Sequence, residues 1–327
     1  MFIRIFKKHY FPQLLIIGIT PIILWAVAFI KPPAVVVTEF DMPIYTNLYS
    51  VVKDFPLLAT SLAFVAMILN GLFLNYIFTS NKLTQRTTYM PAFIYYLLVS
   101  SNYQFMTLSS VFFMNLFLTF ALWSFFRVYN KKDSLEEIFT TALIISLGSM
   151  LFAPTSFFLL WIWIGFSIYK TYSLKKWLVS LFGFITPFIF AIVYYYLTDQ
   201  VVEKMQWFVN TIFTLPHIYP INKPIHVVYF AALLSLLVPS MLYVRTSKQG
   251  NNIIYGKKCN IITLLLIISF LPMSYLMAFS EFSYCYSVSL SFILTIFFFA
   301  KRKILYSNII LMLLIVLTAL KIYYTFP

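Results

Sequence analysis

The stretch that decides the fold is residues 57–78, LLATSLAFVAMILNGLFLNYIF, in which no residue is charged. An α-helix rises 1.5 Å per residue, so about 20 apolar residues are enough to cross the hydrocarbon core of a bilayer. Lys53 and Asp54 precede the run, and Lys82 and Arg86 follow it. Apolar residues bounded by charges at both ends are typical of a membrane-spanning helix, and we predict one here.

The same pattern recurs along the whole chain. Of its 327 residues, 62% are hydrophobic and only 10% are charged, whereas soluble domains carry about a quarter of charged residues. The composition therefore excludes a soluble globular protein, and no stretch is left for a separate soluble domain. We predict an all-α polytopic transmembrane bundle that forms a single integral membrane domain over residues 1–327. Eleven spans are predicted, near 11–30, 57–78, 89–103, 105–126, 135–152, 155–170, 177–198, 225–244, 259–279, 282–300 and 304–321.

Lysine and arginine are divided unevenly between the predicted loops. The net charge is +14, and one alternating set of loops carries 18 cations and three acids, whereas the other carries five cations and six acids. Because Lys and Arg tend to stay on the cytoplasmic side, we expect a cytoplasmic N-terminus and an outside C-terminus. We interpret the positive charge as an orientation signal and a contact with anionic membrane lipids, with no nucleic acid as partner.

One predicted span is unusually short, and the spans hold few polar residues. The span at 89–103 would be only about 22 Å long, so it tilts into a thinned region, is buried among its neighbours, or turns back without crossing. Turning back would invert every later orientation, and the charge asymmetry of the loops argues against it. We place Lys321 at the outer end of the last span, and no ionisable residue lies in the middle of any span. The amides and hydroxyls that remain inside are expected to bond across helices. They are Asn70, Asn75, Asn115 and Thr186.

Two loops on the predicted outer side are long enough to have structure. Residues 31–56 combine an extended stretch with apolar residues at helical spacing, and residues 199–224 have a similar apolar stretch before a proline-rich return. Either segment lies on the outer leaflet, or the two together roof an outward-facing cavity. The apolar positions are Ile44, Leu48, Val51 and Val52 in the first segment and Val202, Met205, Trp207, Phe208 and Ile212 in the second.

An acidic pair, Glu39 and Asp41, lies in the first of these outer segments. Two carboxylates two residues apart in an extended chain point to the same side. Such a pair acts as a general base on an acceptor hydroxyl or holds a divalent metal against a phosphate, and no other cofactor is predicted. The alternative is a pair of solvated acids that affect only solubility and topology. Four residues on the same side are candidates to bind a phosphate. They are Lys223, His217, His226 and Lys53.

The acidic pair and its position after the first helix resemble the acidic motif of the multispanning glycosyltransferases of the C-type fold. Those enzymes use sugars linked to polyprenyl phosphate. The resemblance covers this loop, and it implies a polyprenyl-phosphate-linked substrate with Glu39 or Asp41 as the catalytic base.

A longer stretch resembles an uncharacterised polytopic inner-membrane family of Bacteroidota. It is residues 74–100, LNYIFTSNKLTQRTTYMPAFIYYLLVS, with Met42-Pro43-Ile44-Tyr45 upstream and residues 182–187 downstream. The recurring R-x-x-Y-x-P-A motif stands here as residues 86–92. The resemblance runs from the N-terminus to about residue 200. It implies a bacterial inner membrane and offers no catalytic residues.

Two classes of function follow from these observations. The first is a lipid-phosphate-sugar-dependent glycosyltransferase-like envelope protein that acts at the outer face. The second is a non-enzymatic envelope protein, either an assembly partner or a facilitator for a lipid or small solute, and the sequence identifies no protein partner. A cavity walled by residues 31–56 and 199–224 that contains both acids would favour the first class. Acids splayed into solvent over a closed bundle would favour the second.

Overall fold

The computed structural model describes residues 2–8, 10–35, 37–38, 40–84, 87–129, 131, 133–171, 173–213, 224–246, 253–275, 282–300 and 304–326. Over these ranges the chain is built from helices joined by turns, and no strand forms. Short 3-10 helices lie at Tyr103–Phe105 and Ala153–Phe157. The α-helices in chain order are α1 Phe2–Lys8, α2 Tyr10–Ile30, α3 Pro43–Val52, α4 Pro56–Ser80, α5 Met90–Val99, α6 Ser110–Val128, α7 Leu135–Ser149, α8 Phe158–Tyr169, α9 Leu174–Leu197, α10 Val201–Phe213, α11 Pro224–Thr246, α12 Ile253–Ile268, α13 Phe270–Tyr275, α14 Phe282–Cys285, α15 Ser287–Ala300 and α16 Ile304–Thr325.

Seven helical stretches of the described chain are long and apolar enough to cross a membrane. They lie in α2, α4, α6, α9, α11, α12 continued into α13, and α16. The prediction of an all-α polytopic bundle is therefore confirmed. The other four predicted spans coincide with the shorter helices α5, α7, α8 and α15, which have 10 to 15 residues each. The number of eleven crossings and the sides of the two termini stay predictions.

The short helix α5 lies at the centre of the bundle. All ten of its residues are buried, and it packs against α2, α4, α15 and α16. Residues 100–109 then continue without an α-helix, and their polar groups find partners on other elements. The Trp25 indole donates to Ser100 Oγ at 2.9 Å, and the Tyr284 hydroxyl donates to the Phe105 carbonyl at 2.7 Å. Non-helical chain is tolerated inside a membrane protein only where the protein supplies such partners. Burial of this span among its neighbours is therefore confirmed, and whether it crosses or turns back stays a prediction.

Helix α7 lies between α6 and α9, which are its main packing partners. Gly183 permits the close approach of α9, because a Cβ atom there would lie 2.6 Å from the Phe139 carbonyl oxygen and 3.2 Å from Ala142 Cβ. Small residues at such crossings let membrane helices approach closely. Other apolar side chains of α9 are exposed, such as Ile189 and Phe190, which suits contact with lipid.

Two of the four interior polar residues bond across helices as predicted. Asn70 Nδ2 donates to the Tyr95 hydroxyl at 2.7 Å, and Asn115 Nδ2 donates to the Tyr284 carbonyl at 2.8 Å. The prediction is wrong for Thr186, whose hydroxyl donates to the Phe182 carbonyl one turn earlier in the same helix. Asn75 Oδ1 is buried and accepts no hydrogen bond from the described residues.

Lys258 and Lys321 lie within the spanning helices α12 and α16 and not at their ends, although neither lies in the middle of its span. Both are buried, and α16 runs past Lys321 to Thr325. The Lys321 ammonium lies 3.5 Å from Ser101 Oγ and 4.5 Å from the ring centroid of Tyr229. Ser101 lies just past the carboxyl end of α5, where the helix dipole is negative, so the structure gives this cation an electrostatic role.

Candidate functional site

Asp41 lies between α2 and α3 and is buried, with about 1% of its surface exposed. Its Oδ2 accepts from the Thr38 backbone N–H at 2.6 Å, and its Oδ1 accepts from the Thr38 hydroxyl at 2.8 Å. The side chain of Ser110, the first residue of α6, lies near the carboxyl group and favours its charged form. The carboxyl group is therefore held by neutral donors of its own segment, with a polar side chain of α6 close by.

The backbone on both sides of Asp41 fastens this segment to the end of α7. Asp41 forms an isolated antiparallel bridge with Phe152. The Met42 N–H donates to the Leu151 carbonyl at 3.2 Å, and the Ala153 N–H donates to the Phe40 carbonyl at 3.1 Å. These bonds fix the carboxyl group where the start of α3, the start of α6 and the end of α7 meet.

Burial raises the pKa of Asp41 to about 6, although the nearby Ser110 side chain and the hydrogen bonds from Thr38 lower it in part. Desolvation penalises the charged form, and neutral donors offset this penalty only partly. A carboxyl group with a pKa near 6 is largely ionised at neutral pH yet binds a proton more readily than an ordinary aspartate. This is the property that a general base requires.

A cavity of about 220 Å³ lies between α3, α9, α10 and the end of α7. Residues from both predicted outer segments wall it, because α3 and α10 contact each other. Its lining is almost wholly apolar, and its wall begins at Met42, the residue after Asp41. The wall includes Met42, Ile44, Phe188, Ala191, Met205 and Phe208. Residues of both predicted outer segments therefore wall one cavity, but Asp41 is not part of its lining, and that the cavity faces outward stays a prediction.

Among the described residues, Lys204 of α10 is the one charged residue that lines this cavity. Its ammonium lies 2.8 Å from Glu203 Oε1 and 5.3 Å from the ring centroid of Trp207. The Lys204 side chain is 16% exposed, whereas that of Glu203 is 69% exposed. The sequence analysis missed Lys204. The helical spacing of Val201, Lys204 and Phe208 is a signal that places it on the inner face of α10.

The structure separates the predicted site residues that it describes. Lys53 is exposed just after α3, and His226 is half-buried in the first turn of α11. Neither lines the cavity, so of the predicted residues it is Asp41 that the fold brings next to it. The remaining predicted residues, Glu39, His217 and Lys223, lie outside the described residues.

The described residues contain no group of three or more His, Cys, Asp or Glu side chains with the arrangement of a metal site. Because Glu39 lies outside them, a divalent metal on the acidic pair stays a prediction.

Compared with known protein families, with characterised proteins and with solved structures, this chain matches none. The length and apolarity of its helices indicate a multi-pass helical membrane protein.

Proposed function

We propose that this protein transfers a sugar from a lipid-phosphate carrier at the outer face of a bacterial inner membrane, with Asp41 as the catalytic base. The observation that carries the proposal is the apolar cavity walled by both outer segments, whose wall begins one residue after Asp41. An apolar cavity suits the hydrocarbon part of a lipid, and an adjacent carboxyl group with a raised pKa suits proton transfer.

The reaction assigned to this site is a displacement at the first carbon of the sugar. The oxygen of an acceptor hydroxyl attacks that carbon, and the carboxylate of Asp41 takes the hydroxyl proton. The bond between the carbon and the phosphate oxygen breaks, and the lipid phosphate leaves with the electron pair. Glu39, the other acid of the predicted pair, is the alternative base.

A second candidate function is lipid binding without transfer, as in an assembly partner or a transport facilitator. It is favoured by the burial of Asp41, because both of its oxygens already accept hydrogen bonds from the protein. In this candidate the carboxyl group of Asp41 holds the first outer segment in the shape that pairs with the end of α7, and so shapes the cavity.

The test is mass spectrometry of lipid-linked sugars from cells that carry the wild-type protein, Asp41→Asn, or no protein. The matched control is Asp54→Asn, because Asp54 is an exposed acid just after α3. At equal membrane abundance we expect one lipid-linked sugar to accumulate in Asp41→Asn and in the deletion, but not in Asp54→Asn.

The three strains separate the candidates. An unchanged lipid profile in the deletion would reject the transfer reaction and leave the binding function. Accumulation of the lipid-linked sugar in the deletion but not in Asp41→Asn would reject Asp41 as the base. Glu39 would then be the candidate base, and Glu39→Gln the variant to test.

A further inference from the structure

Three methionines line the cavity, and each comes from a different element. Met42 precedes α3, Met150 follows α7, and Met205 lies on α10. Fourteen of the described residues line the cavity and three of them are methionine, whereas the whole chain has 12 methionines among 327 residues. Methionine is therefore concentrated at this cavity beyond what the composition predicts.

The backbone holds two of these methionines close together. The Met42 N–H donates to the carbonyl of Leu151, the neighbour of Met150, at 3.2 Å. Residues paired in this way across antiparallel segments have Cα atoms about 5.5 Å apart, which puts the Cα atoms of Met42 and Met150 within about 9 Å. Methionine has three rotatable side-chain bonds, so both sulfur atoms can reach one point in the cavity that both residues line. Met205 adds a third sulfur from α10, which contacts α3.

The chemistry of the thioether decides which ligand such a group of side chains takes. Thioether sulfur is a soft, uncharged ligand and favours Cu(I). Zn²⁺ in proteins is instead held by thiolate, imidazole or carboxylate groups, and Mg²⁺ by oxygen. Three thioethers around one apolar cavity are thus a ligand set that selects Cu(I) over the harder divalent ions.

The charges near the cavity suit a monovalent cation. A cation in apolar surroundings needs a compensating negative charge. Asp41, the residue before Met42, supplies a buried carboxyl group, and the ammonium of Lys204 is offset by Glu203 Oε1 at 2.8 Å. These groups balance one added positive charge, whereas a divalent ion would leave an excess.

We infer that Met42, Met150 and Met205 bind one Cu(I) ion in the cavity between α3, α7, α9 and α10. The inference goes beyond the proposed function and does not rest on it. One ion takes up a small part of a cavity of about 220 Å³, so its binding leaves room for an apolar ligand.

The test is calorimetric titration of Ag(I) nitrate into the purified full-length protein in chloride-free detergent solution. Ag(I) has the charge and the ligand preference of Cu(I) and is stable in air. The titration is made in a Cys259→Ala/Cys285→Ala background, because both cysteines are free and thiols also bind Ag(I). We expect one tightly bound Ag(I) per chain, and no comparable binding of Zn²⁺ or Mg²⁺.

The three methionines are tested one at a time with leucine, which has a similar volume and no sulfur. Met42→Leu, Met150→Leu and Met205→Leu should each weaken Ag(I) binding at least about tenfold, because each removes a ligand. Met114→Leu is the matched control, since Met114 is buried in α6 and does not line the cavity. Melting temperatures equal to that of the background protein establish that each variant folds.

A gain of binding provides a second test. Lys204→Met removes a cation from the cavity lining and adds a fourth thioether, so it should tighten Ag(I) binding. Lys204→Gln removes the cation alone and should tighten binding less. Weaker binding in Lys204→Met than in Lys204→Gln would contradict a thioether site at this cavity.

X-ray absorption of the Cu(I)-loaded background protein decides the ligand set even if a leucine variant does not fold. Three sulfur neighbours are expected around the copper. A shell of nitrogen or oxygen, or equal Ag(I) affinities in the background protein and the three leucine variants, would overturn the inference and leave the methionines as an adaptable apolar wall. Neither result depends on the lipid profile of the deletion strain, so the proposed transfer reaction stands or fails separately.

Discussion

Two buried carboxyl groups lie at opposite ends of α7 and are held in different ways. Glu137 lies in the first turn of α7, where its Oε1 contacts the Lys131 ammonium and lies 3.9 Å from Arg127 Nη2. Asp41 lies beside Phe152, just past the other end of the helix, and the hydrogen bonds to its carboxyl group come from Thr38.

The charges of these two carboxyl groups are compensated by different kinds of partner, and the difference decides which group can exchange a proton near neutral pH. Two cations and the positive end of the helix dipole compensate the charge of Glu137, so its burial serves the packing of α6 against α7. Asp41 is compensated by neutral donors, and burial therefore raises its pKa to about 6. The proton on Asp41 is exchangeable near neutral pH, and this makes Asp41 the candidate for proton transfer.

The largest effect that tests this difference is the pH dependence of stability. The pKa of Asp41 is raised from 3.8 to about 6, so the folded state binds this proton more tightly than the unfolded state. The free energy of unfolding should then fall by about 3 kcal/mol as the pH rises through that range. Melting temperatures in detergent between about pH 3 and 7 should show this fall in the wild type and in Asp54→Asn, but not in Asp41→Asn. If the melting temperature of Asp41→Asn depends on pH in the same way, another titratable group causes the fall.

A somewhat smaller effect is expected at the other end of α7. Glu137→Gln removes the charge that faces Lys131 and Arg127, and we expect it to cost about 2 kcal/mol at pH 7, because a buried, charge-assisted contact is lost. Asp41→Asn should instead leave the melting temperature at pH 7 unchanged or raise it. Glu136→Gln is the control, since that side chain is 84% exposed and lies 3.7 Å from the same lysine. Equal losses of stability in Glu136→Gln and Glu137→Gln would show that the buried charge of Glu137 contributes no more than an exposed one.

The hydroxyl of Thr38 provides a finer test of how neutral donors set the pKa of Asp41. Thr38→Val removes the 2.8 Å hydrogen bond to Oδ1 but keeps the backbone N–H bond to Oδ2. Losing one bond to the charged form should raise the pKa of Asp41 by about one unit. The pH at which stability falls should move upward accordingly in the same melting series. A downward move would contradict the assigned role of Thr38.

The smallest effect concerns the anchor of α3, which positions Asp41 indirectly. The Tyr45 hydroxyl donates to the Leu108 carbonyl at 3.0 Å in a buried contact. Tyr45→Phe should cost about 1 kcal/mol, the usual contribution of such a bond, and should leave the pH dependence intact. Tyr49→Phe, a half-buried position one turn further along α3, should cost less. A change in the pH profile of Tyr45→Phe would show that α3 holds Asp41 more directly than the hydrogen bonds indicate.

The helices were predictable to within a few residues where the signal is local. The run at 57–78 became α4, Pro56–Ser80, and the amphipathic stretch after residue 199 became α10, Val201–Phe213. The third predicted span was less accurate, because its helix ends at Val99. Hydropathy does not mark where this helix ends, because an apolar residue has the same hydropathy in a helix and in a buried non-helical stretch.

The candidate site was predictable in part. Asp41 and the two segments of the roof came from the sequence, whereas Lys204 did not, and Lys53 was placed near the site but does not line the cavity. Of the apolar positions proposed for the first segment, Val52 is buried but Val51 is 71% exposed, and Tyr45 takes the buried place. Which face of a short helix turns inward depends on what packs against it.

The sequence by itself determined that this is a multi-pass helical membrane protein, because the length and apolarity of a spanning helix are properties of consecutive residues. The tertiary structure alone decided that α5 is central while α9 is peripheral, that Lys321 meets the end of α5, and that Asp41 meets Ser110 and Phe152. These outcomes depend on contacts between residues far apart in the chain, and hydropathy has no information about such contacts. The burial and the raised pKa of Asp41 follow from those contacts.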